Sequence, residues 1–177
     1  MKTKILIVDD SRIFRSAIEE SLSGEKDIEI IGSVWNGAKA IEFIESNQPD
    51  LVTLDVEMPG MDGLETLRAI QKFNASNPGF PPVGVIIISS FARKGADITI
   101  SALEAGAFDF ITKPVGSGAK ESIEILSRQL IAKIRSFVSM RISRSRILPG
   151  DVFYSVAAAK RQACPRPRRE TRMPQMR

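Results

Sequence analysis

The sequence contains no histidine and a single cysteine, Cys164. The first absence excludes a Ser-His-Asp triad within this chain, along with imidazole bases and imidazole metal ligands. The second excludes an internal disulfide and fits a reducing, cytoplasmic setting. No apolar run approaches the roughly 20 residues that a membrane helix needs. Met1-Lys2-Thr3-Lys4 leads straight into a short strand pattern without a long apolar leader, so neither a span nor a secretory signal is expected. No G-x-G-x-x-G follows that strand, which argues against a dinucleotide enzyme. The run from Gly116 to Ser122 lacks the spacing of a P-loop and reads as a linker.

Acidic residues are scarce toward the C-terminus. The chain carries 25 Lys/Arg and 21 Asp/Glu, but residues 139–177 hold ten of the basic side chains and two of the acidic ones, a local +8. That leaves 15 basic against 19 acidic, a net −4, for residues 1–138. The basic segment includes Cys164-Pro165-Arg166-Pro167-Arg168-Arg169 and shows no apolar periodicity after Val138. Too short to bury a core, it reads as a disordered basic tail, for which truncation or frameshift of a longer gene is one origin. Its aromatics, Phe153 and Tyr154, stand upstream of the arginine cluster, so a nucleic-acid partner is not expected.

What is present is an alternation. Lys4 to Val8, Ile28 to Val34, Leu51 to Leu54, Val83 to Ile88 and Phe108 to Thr112 are apolar, β-branched runs. Helical periodicity follows each: Ile13 to Leu22 behind a Ser11 cap, Ala38 to Ser46, Leu64 to Ile70, 95–105 closed by Gly106, and an amphipathic helix from Ser122 to Val138. Phe73 to Pro82, with three prolines, reads as a loop. Five β/α alternations imply an α/β fold, with one parallel sheet and helices on both faces.

The strands end in polar residues. The first delivers Asp9 and Asp10, the third Asp55, the fourth Ser89 and Ser90, and the fifth Lys113, fixed by Pro114. In an open α/β sheet that edge is where ligands bind. Taken alone, Asp55 reads equally well as a turn residue before Pro59 and Gly60. Three carboxylates gathered with an amine and a hydroxyl need something to neutralise them. A hard divalent cation suits them, and Mg2+ takes only one or two carboxylates directly. Asp55 could then attack a phosphorus centre, with the cation and Lys113 offsetting the transferring charge.

Asp9-Asp10-Ser11, Leu54-Asp55, Met58-Pro59, Met61-Asp62-Gly63, Ser89 and Lys113-Pro114, in this order, resemble the receiver domain of two-component response regulators over about residues 3–137. The resemblance implies a flavodoxin-like five-stranded sheet of order 2-1-3-4-5, which the pattern alone does not reveal. It implies that Asp55 is the phosphoacceptor for a histidine kinase. Asp10, Asp55 and the carbonyl of Glu57 would hold Mg2+, with Asp9 acting through water and orientation. Lys113 would pair with the phosphoryl group and Ser89 would close on it. Phe110 stands at the aromatic switch position, though a strand aromatic is as readily core. Trp35 and Met58 read as packing residues.

Ile88-Ser89-Ser90-Phe91, Ala102 to Ala107 and Asp109 to Pro114 narrow the resemblance to the regulatory half of the chemotaxis protein-glutamate methylesterases. Their catalytic motif has no counterpart here, and no esterase residue is carried over. The esterase domain and the chemoreceptors are partners implied only for a full-length relative. The expected division is a receiver over 1–138 and a linker or tail over 139–177, with the helix 4–strand 5–helix 5 face, 95–138, as readout surface. Three alternatives stay open: a stand-alone receiver, a transcription regulator with a DNA-contacting tail, and a metal-dependent phosphatase.

Overall fold

The computed structural model describes residues 2–90, 95–114 and 119–146. Of the expected tail over 139–177, residues 139–146 are instead the end of the last helix, and 147–177 lie outside the described residues; of the expected linker from Gly116 to Ser122, residues 116–118 lie outside them and Ala119 to Ser122 are helical. Ten elements follow one another: β1 Thr3–Val8, α1 Arg12–Leu22, β2 Ile28–Val34, α2 Gly37–Asn47, β3 Leu51–Asp55, α3 Gly63–Ser76, β4 Gly84–Ser89, α4 Gly95–Glu104, β5 Asp109–Thr112 and α5 Ala119–Arg146. All strand pairs are parallel, and the sheet order is β2-β1-β3-β4-β5.

Alternation along each strand divides the core in two. Leu6, Val8, Val52, Leu54, Val85 and Ile87 face Ala40, Ile44, Leu67, Ile70 and Ala102, which come from α2, α3 and α4. Ile5, Ile7, Leu51, Ile86 and Ile88 face Ile18 and Leu22 of α1 and Leu126, Leu130, Ile134 and Phe137 of α5. Near-continuous apolar strands are what a sheet covered on both faces requires.

Helix ends are set by local chemistry. Ser11 Oγ accepts from the Phe14 N–H, and Asn36 Oδ1 accepts from the Lys39 N–H. Asp62 and Glu65 form a reciprocal capping box at the start of α3. At the end of α4, Gly106 has φ +97°, Ala107 N–H donates to the Ala102 carbonyl and Gly106 N–H to that of Leu103. This is the left-handed helix stop expected of Gly106.

Two helices run longer than the sequence indicates. α3 continues through Asn74 to Ser76, where a loop was expected from Phe73. Phe73 packs on the core, and the Asn74 amide brackets Val83, accepting from its N–H and donating to its carbonyl. α5 passes Val138 because Met140 still touches the core and Arg141 pairs with Asp50 at 2.6 Å. The compact unit around the sheet extends to Arg141.

Candidate functional site: an acidic cluster bridged by a lysine

The register carries the strand-end residues to one edge. Val8 pairs with Leu54, so Asp9 and Asp55 emerge side by side from β1 and β3. Asp55 pairs with Ile88 and Ser89 with Thr112, which sets Ser89 and Lys113 just beyond. One ligand oxygen from each of Asp9, Asp10 and Asp55 lies within 4.8 Å of the others. Asp9 and Asp55 are 1% and 3% exposed, whereas Asp10 stands open to solvent.

Lys113 closes the cluster. Its Nζ donates to Asp9 Oδ2 at 2.7 Å and to Asp55 Oδ2 at 2.9 Å. The other Asp9 oxygen accepts from the Ser11 N–H at 2.8 Å. Arg15 donates to the carbonyls of Asp9 and Asp10, which fixes the turn between β1 and α1. The Lys113 N–H donates to the Ser89 carbonyl at 2.8 Å, holding the ends of β4 and β5 together.

Asp55 Oδ1 is different. It is buried and has no hydrogen-bond partner among the described residues, a condition it shares with Thr53 Oγ1 two residues earlier on the same face of β3. Burial pushes the Asp55 pKa up, and the neighbouring Asp9 charge adds to this; the Lys113 hydrogen bond and charge and the Glu57 N–H pull the other way without cancelling it. A buried, unpartnered carboxylate oxygen is costly on its own. Three acids against one lysine also leave excess negative charge. The donor set, all oxygen and partly open through Asp10, fits a hard divalent cation such as Mg2+.

The remaining expected residues are placed as follows. Ser89 is fully buried at the end of β4. Glu57 lies outside the carboxylate cluster, its Oε2 accepting from Ser90 Oγ at 2.9 Å. Phe110, beside Ile87, packs half-buried against the core. Two contacts escaped the sequence reading: the Ser90–Glu57 link, and the ring of Phe14, whose centroid lies 4.2 Å from Lys113 Nζ. Helical spacing marked Phe14 as core, and no local signal couples it to the fifth strand.

The β3–α3 connection is shaped by a close approach. A Cβ on Gly63 would fall 2.2 Å from the Asp55 carbonyl oxygen. Only glycine lets α3 begin this near the end of β3, where its N–H donates to the Val56 carbonyl at 3.0 Å.

Comparison with known proteins gives the family and the fold. Residues 5–124 match the response regulator receiver domain family. A protein-glutamate methylesterase/protein-glutamine glutaminase of Pyrococcus horikoshii is 43% identical over 134 residues, covering 76% of this chain and 34% of the relative. The chain thus spans about a third of that relative's length. Among solved structures, the response regulator domain of Thermotoga maritima CheB is 35% identical with a TM-score of 0.67, covering 78% of this chain and 98% of that one. The chain aligned in the CheX–CheY–BeF3–Mg2+ complex of Borrelia burgdorferi is 27% identical with a TM-score of 0.60, covering 75% and 87%.

Proposed function

This chain belongs to the response regulator receiver family, and on that premise we propose that it accepts a phosphoryl group on Asp55 from a histidine kinase of a chemotaxis pathway. The observation that carries this reading is Asp55 itself. One oxygen is tied to Lys113 and the other is buried without a partner, beside two further carboxylates. Such a group has its charge half-compensated and one oxygen ready for a ligand or a reaction.

In the transfer, a lone pair of the Asp55 carboxylate forms a new O–P bond. The P–N bond to the donor histidine breaks, its electron pair staying with the imidazole. Lys113 offsets charge on the oxygens that gain it, and Asp9 holds the ammonium in place. Asp10 and Asp55, with the carbonyl of Glu57, would hold Mg2+, which when bound supplies Lewis-acid neutralisation of the transferring group. The product adds about −1.5 to −2 charges at Asp55. Ser89 and Lys113 then become its donors and bias a two-state equilibrium toward the closed arrangement, with Phe110 following.

Likeness to the methylesterases over the first three-quarters of this chain favours a regulatory role in chemotaxis, with α4, β5 and α5 as readout face. Ile100 and Leu103 of α4 are exposed there. A receiver unit that ends near Arg141, three residues beyond the expected boundary at Val138, completes the proposal.

Intact-mass spectrometry after incubation with acetyl phosphate tests it. A single phosphoryl adduct that requires both Mg2+ and Asp55, and is lost in Asp55→Asn, is the expected result. No adduct despite Mg2+ binding would mark a binding surface that does not react. Mg2+ is also expected to raise the thermal midpoint of the wild-type chain, by about 2.7 kcal/mol of stability at a hundredfold excess over Kd, and EDTA to reverse it.

A further inference from the structure

Among the described residues the Lys113 ammonium has three neighbours, and the phosphoryl chemistry above uses two of them. The third is the ring of Phe14, on the first turn of α1 and half-buried against the α1/α5 core. A closed circuit of contacts sets the ring. Asp9 Oδ1 accepts from the Ser11 N–H, Ser11 Oγ accepts from the Phe14 N–H, the Phe14 face meets Lys113 Nζ at 4.2 Å, and Nζ returns to Asp9 Oδ2. The cap that starts α1 therefore also aims the ring.

We propose that Phe14 is a positioning residue for phosphoryl transfer: its ring face holds the Lys113 ammonium at the junction of Asp9 and Asp55. A lysine reaches such a site on a flexible four-carbon stem, so its direction must come from its surroundings. Two carboxylates define one side of the ammonium. An aromatic face on another side attracts the cation through its quadrupole. It neither accepts a proton nor ligates a metal. A fourth carboxylate there would add repulsion to three acids, and an aliphatic side chain would leave a nearly buried ammonium facing nothing polar. When Asp55 becomes an acyl phosphate, the Lys113 donor to its Oδ2 turns to a phosphoryl oxygen. Asp9 and Phe14 are the two contacts that do not change, and the ammonium pivots on them.

This inference rests on Asp55 as phosphoacceptor, and its test separates the two. The full chain is compared with Phe14→Leu, of similar size but without a face, and with Phe14→Tyr, which keeps one. The measurements are the rate of adduct formation from acetyl phosphate at saturating Mg2+, the Mg2+ affinity, and the proton shifts of the Lys113 ε-methylene, which a ring face moves upfield. Phe14→Leu is expected to react about fivefold more slowly, on the scale of one cation–π contact. Its Mg2+ affinity stays unchanged and its ε-methylene signal moves downfield. Phe14→Tyr restores both the rate and the shift. A Leu variant as fast as wild type overturns the proposal, as does a Leu variant whose loss in rate is matched by a loss in Mg2+ affinity. No adduct on the wild-type chain overturns the phosphoacceptor reading and this proposal with it, a result distinct from an unslowed Leu variant.

Discussion

Asp55 gives up stability for its position. Burial raises its pKa, the Lys113 hydrogen bond and charge counteract only part of that, and so the folded chain holds this proton more tightly than the unfolded chain does. The folded state therefore gains relative stability as pH falls from the raised value toward the ordinary 3.8, and carries the full cost of the buried charge above the raised value. In divalent-free buffer at neutral pH, Asp55→Asn is expected to unfold a few degrees higher than wild type, as of order 1 kcal/mol would give. The gap should close as pH is lowered through the carboxylate range. Thermal melts at a series of pH values check this, and an Asn variant less stable at neutral pH would refute it. Added Mg2+ should shrink the difference by stabilising wild type alone.

Among the elements, the turn from β3 into α3 has the least room. Gly63→Ala places a methyl against the Asp55 carbonyl, and since the neighbour is backbone the turn must move. A loss of about 2 kcal/mol is expected, the scale of an overpacked site, together with slower adduct formation because Asp55 shifts with its own carbonyl. Chemical denaturation and the mass assay measure the two effects. Asp62→Ala removes the capping box from the same helix and should cost about 1 kcal/mol while leaving Asp55 chemistry near wild type. The pair separates helix stability from site geometry. The strand-end residues Asp9, Asp10, Asp55, Ser89 and Lys113 were legible because each stands at or just after the end of a largely apolar, β-branched run. The Ser11 cap and the Gly106 stop were legible because single residues carry those signals. The last turn of α3 was not, since Asn74 and Ser76 favour loops by propensity. What holds Asn74 is the backbone of Val83, just before the next strand, a pairing that propensity does not register.

For the molecule as a whole, the parallel sheet with two covered faces followed from the β/α alternation. The strand order came from family likeness, because periodicity does not say which strand lies beside which. Contacts between distant segments stayed hidden for the same reason: Phe14 with Lys113, and the far end of α5 with β3. There Asp50 takes the Lys4 N–H at 2.8 Å on one oxygen and Arg141 at 2.6 Å on the other, while Arg141 lies over the Phe137 ring. Asp50→Ala is expected to cost about 1 kcal/mol, modest because the pair is partly exposed, with reactivity at Asp55 retained. Hydrogen exchange should show the last turns of α5 loosening first. The sheet thus gathers its acids at one margin and has, at the opposite margin, an anchor. On the proposed switch, α5 is expected to pivot where Arg141 pins it to Asp50, as a lever does about its fulcrum, so that the segment nearest that pin moves least.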